Sequence, residues 1–166
     1  MNLLDDFLTA ISATEVTAPS AVFKLFISLI LGGVVGMESK RKGQGAGIRT
    51  FALISMGATL AMLVSIYIPQ AYLGMKNGDP GRIAAQVVTG VGFLGAGAII
   101  QTRGSIRGLT TAAGIWMVAA IGMSIGVGMY LVSVVATFFI LFILVSMEHY
   151  EHRNNFEWRG KIIRMN

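Results

Sequence analysis

The protein has 166 residues and a mass of 17.7 kDa, which fits one domain. Apolar residues make up 54% of the chain, charged residues 13%, and the mean hydropathy is +0.70, a composition that excludes an ordinary soluble globular protein. The chain has no cysteine, which excludes disulfides and thiolate metal sites. The net charge of +5 lies in short basic patches between apolar runs, an arrangement typical of membrane proteins rather than of nucleic-acid-binding proteins.

Five apolar runs are long enough to predict transmembrane helices. They are residues 21–37, 51–68, 83–100, 109–127 and 129–147. Each run spans about 27 Å at the rise of an α-helix. The sequence therefore predicts an all-α integral membrane protein with a glycine-rich five-helix bundle. Three parts follow in order: an N-terminal segment (1–20), the transmembrane domain (21–147) and a basic tail (148–166).

Lysine and arginine predict the orientation of the bundle, because short loops rich in these residues stay in the cytoplasm. Alternate loops carry ten of them on one side of the membrane and two on the other. We therefore expect the N-terminus on the outer side of the membrane and the C-terminus in the cytoplasm. Lys24 lies one turn inside the first helix, and we expect its side chain to snorkel outward.

Two boundaries carry local signals. Asp79 followed by proline predicts the start of the third helix, since the carboxylate can cap the first turn and proline suits the first helical position. Residues 125–129, Ile-Gly-Val-Gly-Met, predict a tight turn. Helices four and five should therefore form an antiparallel hairpin.

Glycine recurs within three of the predicted helices. Small residues permit close helix packing in lipid, and the positions concerned are Gly32, Gly36, Gly90, Gly92, Gly95, Gly97, Gly122 and Gly126. Packing is the favoured interpretation, and such faces also predict a homodimer. The alternative for the third helix is a break that lines a polar cavity.

Polar residues within the spans offer a second set of candidates. Arg82, Gln86 and Thr89 share one face of the third helix, which predicts that this face points into the bundle. A functional role and simple hydrogen bonding between helices are equally open for them. Trp116 lies in the middle of the fourth helix, where its indole N–H should find a partner inside the bundle.

Charged and hydroxyl residues gather at the helix ends predicted to face the cytoplasm. This cytoplasmic cluster comprises Glu38, Arg49, Thr50, Arg107, Thr110 and Thr111. A carboxylate beside two guanidinium groups and helix N-termini can form a structural ion-pair network, which we favour, or an anion-binding site.

The remaining residues offer little for catalysis. No run contains a carboxylate, a Ser/His pair or a set of metal ligands, so no enzyme, cofactor or metal is expected. In the tail, His149 and His152 could hold a metal, but an interfacial segment lying against the inner leaflet is the favoured interpretation.

Four motifs resemble a known family. They are residues 33–38 (GVVGME), 45–50 (GAGIRT), 79–97 (DPGRIAAQVVTGVGFLGAG) and 107–113 (RGLTTAA) with Trp116. Through them, roughly residues 25 to 135 resemble the MgtC/SapB family of bacterial inner-membrane proteins. The chain departs from the usual pattern at Ser39, where arginine is common, and at Phe51, where histidine is common.

This resemblance carries expectations about function. It implies a member of the short, SapB-like branch, without the cytoplasmic domain of larger members. It implies a non-enzymatic regulatory or accessory protein linked to magnesium limitation, acid stress or survival in host phagocytes, with the F-type ATP synthase as a candidate partner. The alternative is a small transporter or channel for Mg²⁺ or another ion. Lipid and a second copy of the chain are the other expected partners, and nucleic acid is not.

Overall fold

The computed structural model describes residues 16–72, 79, 81–102 and 105–163, with side chains except those of Thr102 and residues 147–163. Its elements in chain order are α1 (Ala18–Arg41), α2 (Ile48–Tyr72), α3 (Gly81–Gly97), β1 (Ile100–Thr102), β2 (Ser105–Arg107), α4 (Leu109–Val127) and α5 (Tyr130–Ile163). The five helices follow the order of the five predicted runs. Most of the predicted N-terminal segment, residues 1–15, lies outside the described part of the chain.

Helix α1 begins where the sequence supplies its own cap. The Oγ1 atom of Thr17 accepts from the backbone N–H of Ser20, and the Oγ atom of Ser20 accepts from the N–H of Thr17 at 3.0 Å. This reciprocal pair satisfies N–H groups that have no partner within the helix. Pro19 lies in the first turn, where its missing N–H costs nothing.

Helix α2 lies between α1 and α4 and packs closely against both. A Cβ atom added to Gly32 of α1 would lie 2.7 Å from a side-chain atom of α2, and one added to Gly126 of α4 would lie 2.6 Å from another. Gly36 and Gly122 approach the backbone of α2 with equally little room. These four glycines therefore permit close packing inside one chain, and they are not free to form the contact between copies that we expected.

The core lies where α1, α2 and α4 meet. Phe51 of α2 is 1% exposed, and a Cβ atom added to Gly114 of α4 would lie 3.1 Å from its ring, closer than ordinary van der Waals contact. Val35 and Val118 are fully buried beside it. Position 51, which departs from the usual family pattern, is thus filled by a central core side chain.

The predicted turn between α4 and α5 is present. Gly128 adopts a φ of +97°, the left-handed conformation that favours glycine after a helix. Its N–H donates to the carbonyl of Ile125 at 2.9 Å. The hydroxyl oxygens of Ser124 and Ser133 lie 2.6 Å apart across the two helices. The turn therefore sets α5 antiparallel to α4.

The segment after α3 differs from the prediction of an all-α fold. We expected the third helix to run to residue 100, but it ends at Gly97, and residues 100–107 form an antiparallel two-stranded hairpin. Residues 101–105 are polar or glycine, so the apolar run that predicts a helix stops at Ile100. Gly108, with a φ of +90°, follows the hairpin at a place where a Cβ atom would overlap the carbonyl oxygen of Ala98.

The molecule is a multi-pass membrane protein by its helices. Within the described chain, α1, α2 and α4 are long and apolar enough to cross a membrane. The apolar part of α5, Tyr130–Ser146, is shorter, and α3 has 17 residues. The backbone of α5 continues without a break to Ile163, so the helix itself does not mark the predicted start of the tail. The side chains of His149 and His152 lie outside the described part.

Trp116 lies on the outside of the bundle rather than inside it. Its side chain is 46% exposed, whereas Ile115 and Ala119 on the same helix are buried. Successive residues of a helix are rotated by about 100° around its axis. Because Ile115 points inward, Trp116 lies at the edge of the packed face. The tryptophan therefore does not pack as we expected.

Candidate functional site

A cavity of about 750 Å³ lies where the α1–α2 loop, the end of α3 and the start of α4 meet. By the charge count, this end of the bundle is the one predicted to face the cytoplasm. The polar side chains in its wall are Gln44, Thr50, Arg107, Thr110 and Thr111. Its volume is in the range of small-molecule sites. Four of the six residues of the predicted cytoplasmic cluster therefore line one cavity.

Ser39 holds the loop that forms one wall of this cavity. Its hydroxyl oxygen lies 2.9 Å from the carbonyl oxygen of Ala46 and 3.1 Å from Oε1 of Gln44. The hydroxyl of Thr111 lies 3.5 Å from the same Gln44 oxygen. Gln44 carries no signal in the sequence, because only these contacts across the loop bring it to the cavity.

The two remaining residues of the cytoplasmic cluster lie elsewhere. Glu38 pairs with Arg41 at 3.4 Å and with Lys42 at 3.9 Å. Arg49 is exposed, and neither it nor Glu38 lines the cavity. Arg41 and Lys42 lie three and four positions after Glu38, so these two ion pairs bring no other segment of the chain to the carboxylate. In the part of the chain described by the structure, the favoured network joining Glu38, Arg49 and Arg107 does not form.

The wall of the cavity carries positive charge. Arg107 is the charged residue among the lining residues, and it makes no ion pair with any acidic side chain that the structure describes. Helix α4 begins beside it after Gly108, which provides no side-chain cap. Helix N-termini carry unsatisfied N–H groups and partial positive charge. The arrangement suits an anion, the alternative that the sequence left open.

Helix α3 begins as predicted and is continuous. The Oδ1 atom of Asp79 accepts from the N–H of Gly81 at 2.9 Å. From Gly81 to Gly97 the helix has no break, so the alternative of a broken third helix lining a polar cavity is not realised there.

The polar face of α3 points away from the bundle, contrary to our expectation. The three residues of this outward stripe are exposed: Arg82, Gln86 and Thr89. The hydroxyl of Thr89 donates to a backbone carbonyl of its own helix at 3.1 Å. The buried residues of α3, Val91 and Gly95, lie on the opposite side of the helix. Apolar packing therefore decides which face turns inward.

The glycines of α3 also differ from the packing prediction. Gly95 faces Ala112 of α4, and a Cβ atom there would make an ordinary contact at 3.5 Å or more. At Gly90, Gly92 and Gly97, an added Cβ atom would meet nothing within 4 Å. These three positions leave open space beside the helix instead of bringing two helices together.

Lys24 is buried, whereas we expected it to snorkel outward. Its side chain is 1% exposed, and Nζ donates to the carbonyl oxygen of Gly126 at 3.0 Å. The sequence did contain a signal. Ser20, Lys24, Ser28 and Gly32 recur every four residues and together form the buried face of α1. A polar and small-residue face at helical spacing is typical of the interior of a membrane bundle.

Metal ligands do not gather in the described structure. Among the residues with described side chains, no three His, Asp or Glu residues come together as a group that could hold a metal ion. The cavity wall offers hydroxyl, amide and guanidinium groups instead.

Comparison with protein families decides the classification. Residues 25–153 match the family model described as MgtC family, which covers more than half of the chain. The chain belongs to the MgtC family. This membership confirms the resemblance that the four glycine-rich motifs indicated. The match extends from α1 into α5 and includes the whole cavity.

Curated relatives in the MgtC family come from several bacteria. The chain is 49% identical over 125 residues to the "Putative magnesium transporter YhiD" of Escherichia coli K12, a match covering 74% of this chain and 58% of YhiD. It is 38% identical over 130 residues to the protein SrpB of Synechococcus elongatus, covering 74% and 71%. It is 39% identical over 120 residues to the protein MgtC of Salmonella typhimurium, covering 72% and 49%.

The matches cover only part of the length of these relatives, which limits what they show about this MgtC-family chain. The chain spans 58% of the length of YhiD and 49% of the length of MgtC. No solved structure matches the chain significantly. The family is therefore shown by sequence, and the activity of any whole relative is a matter for proposal.

Proposed function

We propose that this chain is a non-enzymatic regulatory or accessory protein of the bacterial inner membrane, linked to magnesium limitation, acid stress or intracellular survival. In this proposal all five helices cross the bilayer, the N-terminus is periplasmic and the C-terminus is cytoplasmic. Membership of the MgtC family supports the role. The ten-to-two distribution of Lys and Arg between the two sides supports the orientation.

The observation that carries the proposal is the position of Lys24. Mg²⁺ loses its waters reluctantly and is usually held by carboxylate or phosphate oxygens. Inside this bundle the ammonium group of Lys24 donates a hydrogen bond to the carbonyl oxygen of Gly126. A buried positive charge opposes the passage of a divalent cation. The placement of Lys24 therefore favours a regulatory role over cation transport.

Mg²⁺ uptake by proteoliposomes tests this role. We expect an entrapped fluorescent indicator to report the same Mg²⁺ uptake with the purified chain as with empty liposomes. A Lys24→Met variant is the matched comparison, because it removes the buried charge and keeps a side chain of similar length. Uptake well above empty liposomes with the unchanged chain would contradict the proposal.

Growth at low magnesium provides the second readout. In a bacterial strain that lacks its own copy, we expect the unchanged chain to restore growth in low-magnesium medium without raising the rate of Mg²⁺ uptake. Failure to restore growth would count against the physiological link, even where the liposomes show no transport.

A transporter for Mg²⁺ or another ion is the second candidate function. The name printed for YhiD, a relative with 49% identity, favours it. The outward stripe of α3 would then be the natural place for polar groups along a path formed between copies, because Gln86 and Thr89 are exposed there. Uptake that rises well above the background and is abolished by Gln86→Leu would establish this candidate in place of the first.

We also infer that the chain associates with a second copy through the outward stripe of α3. Arg82, Gln86 and Thr89 are exposed on a helix that we place in the membrane, and Phe93 beside them is 81% exposed. Polar side chains within a bilayer usually find protein partners. The four glycines of α1 and α4 are already used within one chain, so the stripe replaces them as the expected contact.

Single cysteines test this contact, since the natural sequence has none. We expect Phe93→Cys to form disulfide-linked dimers in membranes, whereas Phe26→Cys, exposed on α1, should not. Equal cross-linking at both positions would contradict the assignment. The F-type ATP synthase, the partner that the family resemblance implies, is tested separately by co-purification from solubilised membranes.

A further inference from the structure

An apolar crevice on the surface of the bundle adjoins the polar cavity. The crevice has a volume of about 380 Å³ and lies between α2 and α3, lined by residues that include Leu53, Gly57, Val87 and Gly90. Leu94 lines both the crevice and the cavity. The cavity and the crevice therefore adjoin at Leu94, with the crevice on the side of the bundle that faces the membrane in the predicted topology.

The dimensions of the crevice suit a hydrocarbon chain. Along α3 it extends from Leu94 back to Val87, which is about 10 Å at the helical rise. Half of a typical bilayer core is about 15 Å thick. Cβ atoms added to Gly57 and Gly90 would meet nothing within 4 Å. The two glycines therefore leave space in the crevice that no described side chain fills.

The cavity suits a phosphate group. Arg107 lines it without an acidic partner among the described residues, and Thr110 and Thr111 place hydroxyl groups in the same wall. Guanidinium and hydroxyl groups bind phosphate through charge-assisted and neutral hydrogen bonds. The predicted topology places this end of the bundle at the cytoplasmic surface of the membrane, where basic residues attract anionic headgroups.

We propose that the cavity and the crevice together bind one anionic phospholipid of the adjacent leaflet. Its headgroup phosphate lies against Arg107 and the threonines of α4, and the first part of one acyl chain lies along Gly57 and Gly90. Charge complementarity selects the headgroup, and the shared wall at Leu94 joins the two parts. The site is independent of the proposed function, because a regulator and a transporter could both carry it.

Native mass spectrometry of the full chain purified in detergent tests the site. Dioleoyl phosphatidylglycerol is the probe, and dioleoyl phosphatidylcholine is the headgroup control. We expect one phosphatidylglycerol to be retained in preference to phosphatidylcholine. Arg107→Gln should weaken phosphatidylglycerol binding by about tenfold or more, since a hydrogen bond to a charged group is lost.

Leucine substitutions test the acyl-chain part separately. Gly57→Leu and Gly90→Leu each fill the crevice without meeting a protein atom at Cβ, and we expect both to reduce retained phosphatidylglycerol severalfold. Gly92→Leu is the matched control, because it also points into open space on α3 but does not line the crevice. The melting temperatures of all four variants without added lipid report whether each is folded.

Three results would overturn the proposal. The first is equal retention of the two lipids by the unchanged chain. The second is retention of phosphatidylglycerol by folded Gly57→Leu and Gly90→Leu at the level of Gly92→Leu. The third is binding of inorganic phosphate as tight as that of phosphatidylglycerol, which would identify a free-anion site with no role for the crevice.

Discussion

Lys24 donates a hydrogen bond to the carbonyl oxygen of Gly126 across 3.0 Å, although the two residues are 102 positions apart in the sequence. The carbonyl belongs to the last turn of α4, where carbonyl groups lack partners within the helix and the helix end carries partial negative charge. The ammonium group therefore satisfies an acceptor and meets a favourable field. This contact joins α1 to the turn between α4 and α5.

Reversal of the charge at position 24 should destabilise the protein strongly. Lys24→Glu places a carboxylate against the carbonyl of Gly126 at a site that is 1% exposed. An uncompensated buried charge costs on the order of 3 to 5 kcal/mol, and we expect a matching loss in the free energy of unfolding. Thermal unfolding in detergent measures it. Lys40→Glu, at an exposed position, is the control, and equal melting of the two variants would refute the burial of Lys24.

Alanine at two glycines should act in opposite directions. At Gly122, a Cβ atom would overlap the carbonyl oxygen of Ser55, so Gly122→Ala should lower stability by about 1 to 3 kcal/mol. At Gly92, a Cβ atom meets nothing, so Gly92→Ala should raise stability by about 0.5 to 1 kcal/mol through helix propensity. Denaturant unfolding in mixed micelles compares them. A Gly122→Ala variant as stable as the unchanged protein, or more stable, would show that α2 and α4 do not approach as described.

Removal of the Ser39 hydroxyl should loosen the cavity wall. Ser39→Ala deprives the carbonyl of Ala46 of a donor at a buried position, at an expected cost of about 1 to 3 kcal/mol. Hydrogen exchange should also become faster in the α1–α2 loop. Ser146→Ala is the control, because that hydroxyl donates only within its own helix. Unchanged exchange in the loop of Ser39→Ala would contradict the role of this serine.

Arg49 should contribute little to stability. It is exposed and makes no ion pair with a described acidic side chain, so Arg49→Ala should change the free energy of unfolding by less than about 0.5 kcal/mol. Unfolding of the purified variant gives the value. A loss of several kcal/mol would restore the ion-pair network with Glu38 that the sequence first indicated.

Single-cysteine labelling should show the orientation of the bundle. Because the natural chain has no cysteine, each variant carries one site. We expect a membrane-impermeant maleimide to label Asn77→Cys in intact cells with a permeable outer membrane, and Ser105→Cys only in inverted vesicles. The reverse pattern would place the N-terminus in the cytoplasm and would invert the orientation assigned to the cavity.

Local signals predicted much of the fold because they depend on a few neighbouring residues. Asp79 starts α3 through a bond to a residue two positions away, and Gly128 ends α4 because its φ is +97°. The convergence of Thr50 and Arg107 was also predictable, since the sequence places both near helix ends predicted to face the cytoplasm. The hairpin at residues 100–107 was missed because its two strands have only three residues each and the first begins at the end of an apolar run.

Hydropathy and charge were enough to predict the number and order of the helices and the charge asymmetry, because a bilayer requires long apolar helical segments. The side of each helix that turns inward depends on how the helices pack together. Both sides of a membrane helix are apolar, so close packing against neighbouring helices determines which side faces the core. That choice buried Lys24, exposed Gln86 and Trp116, and opened the crevice beside Gly90.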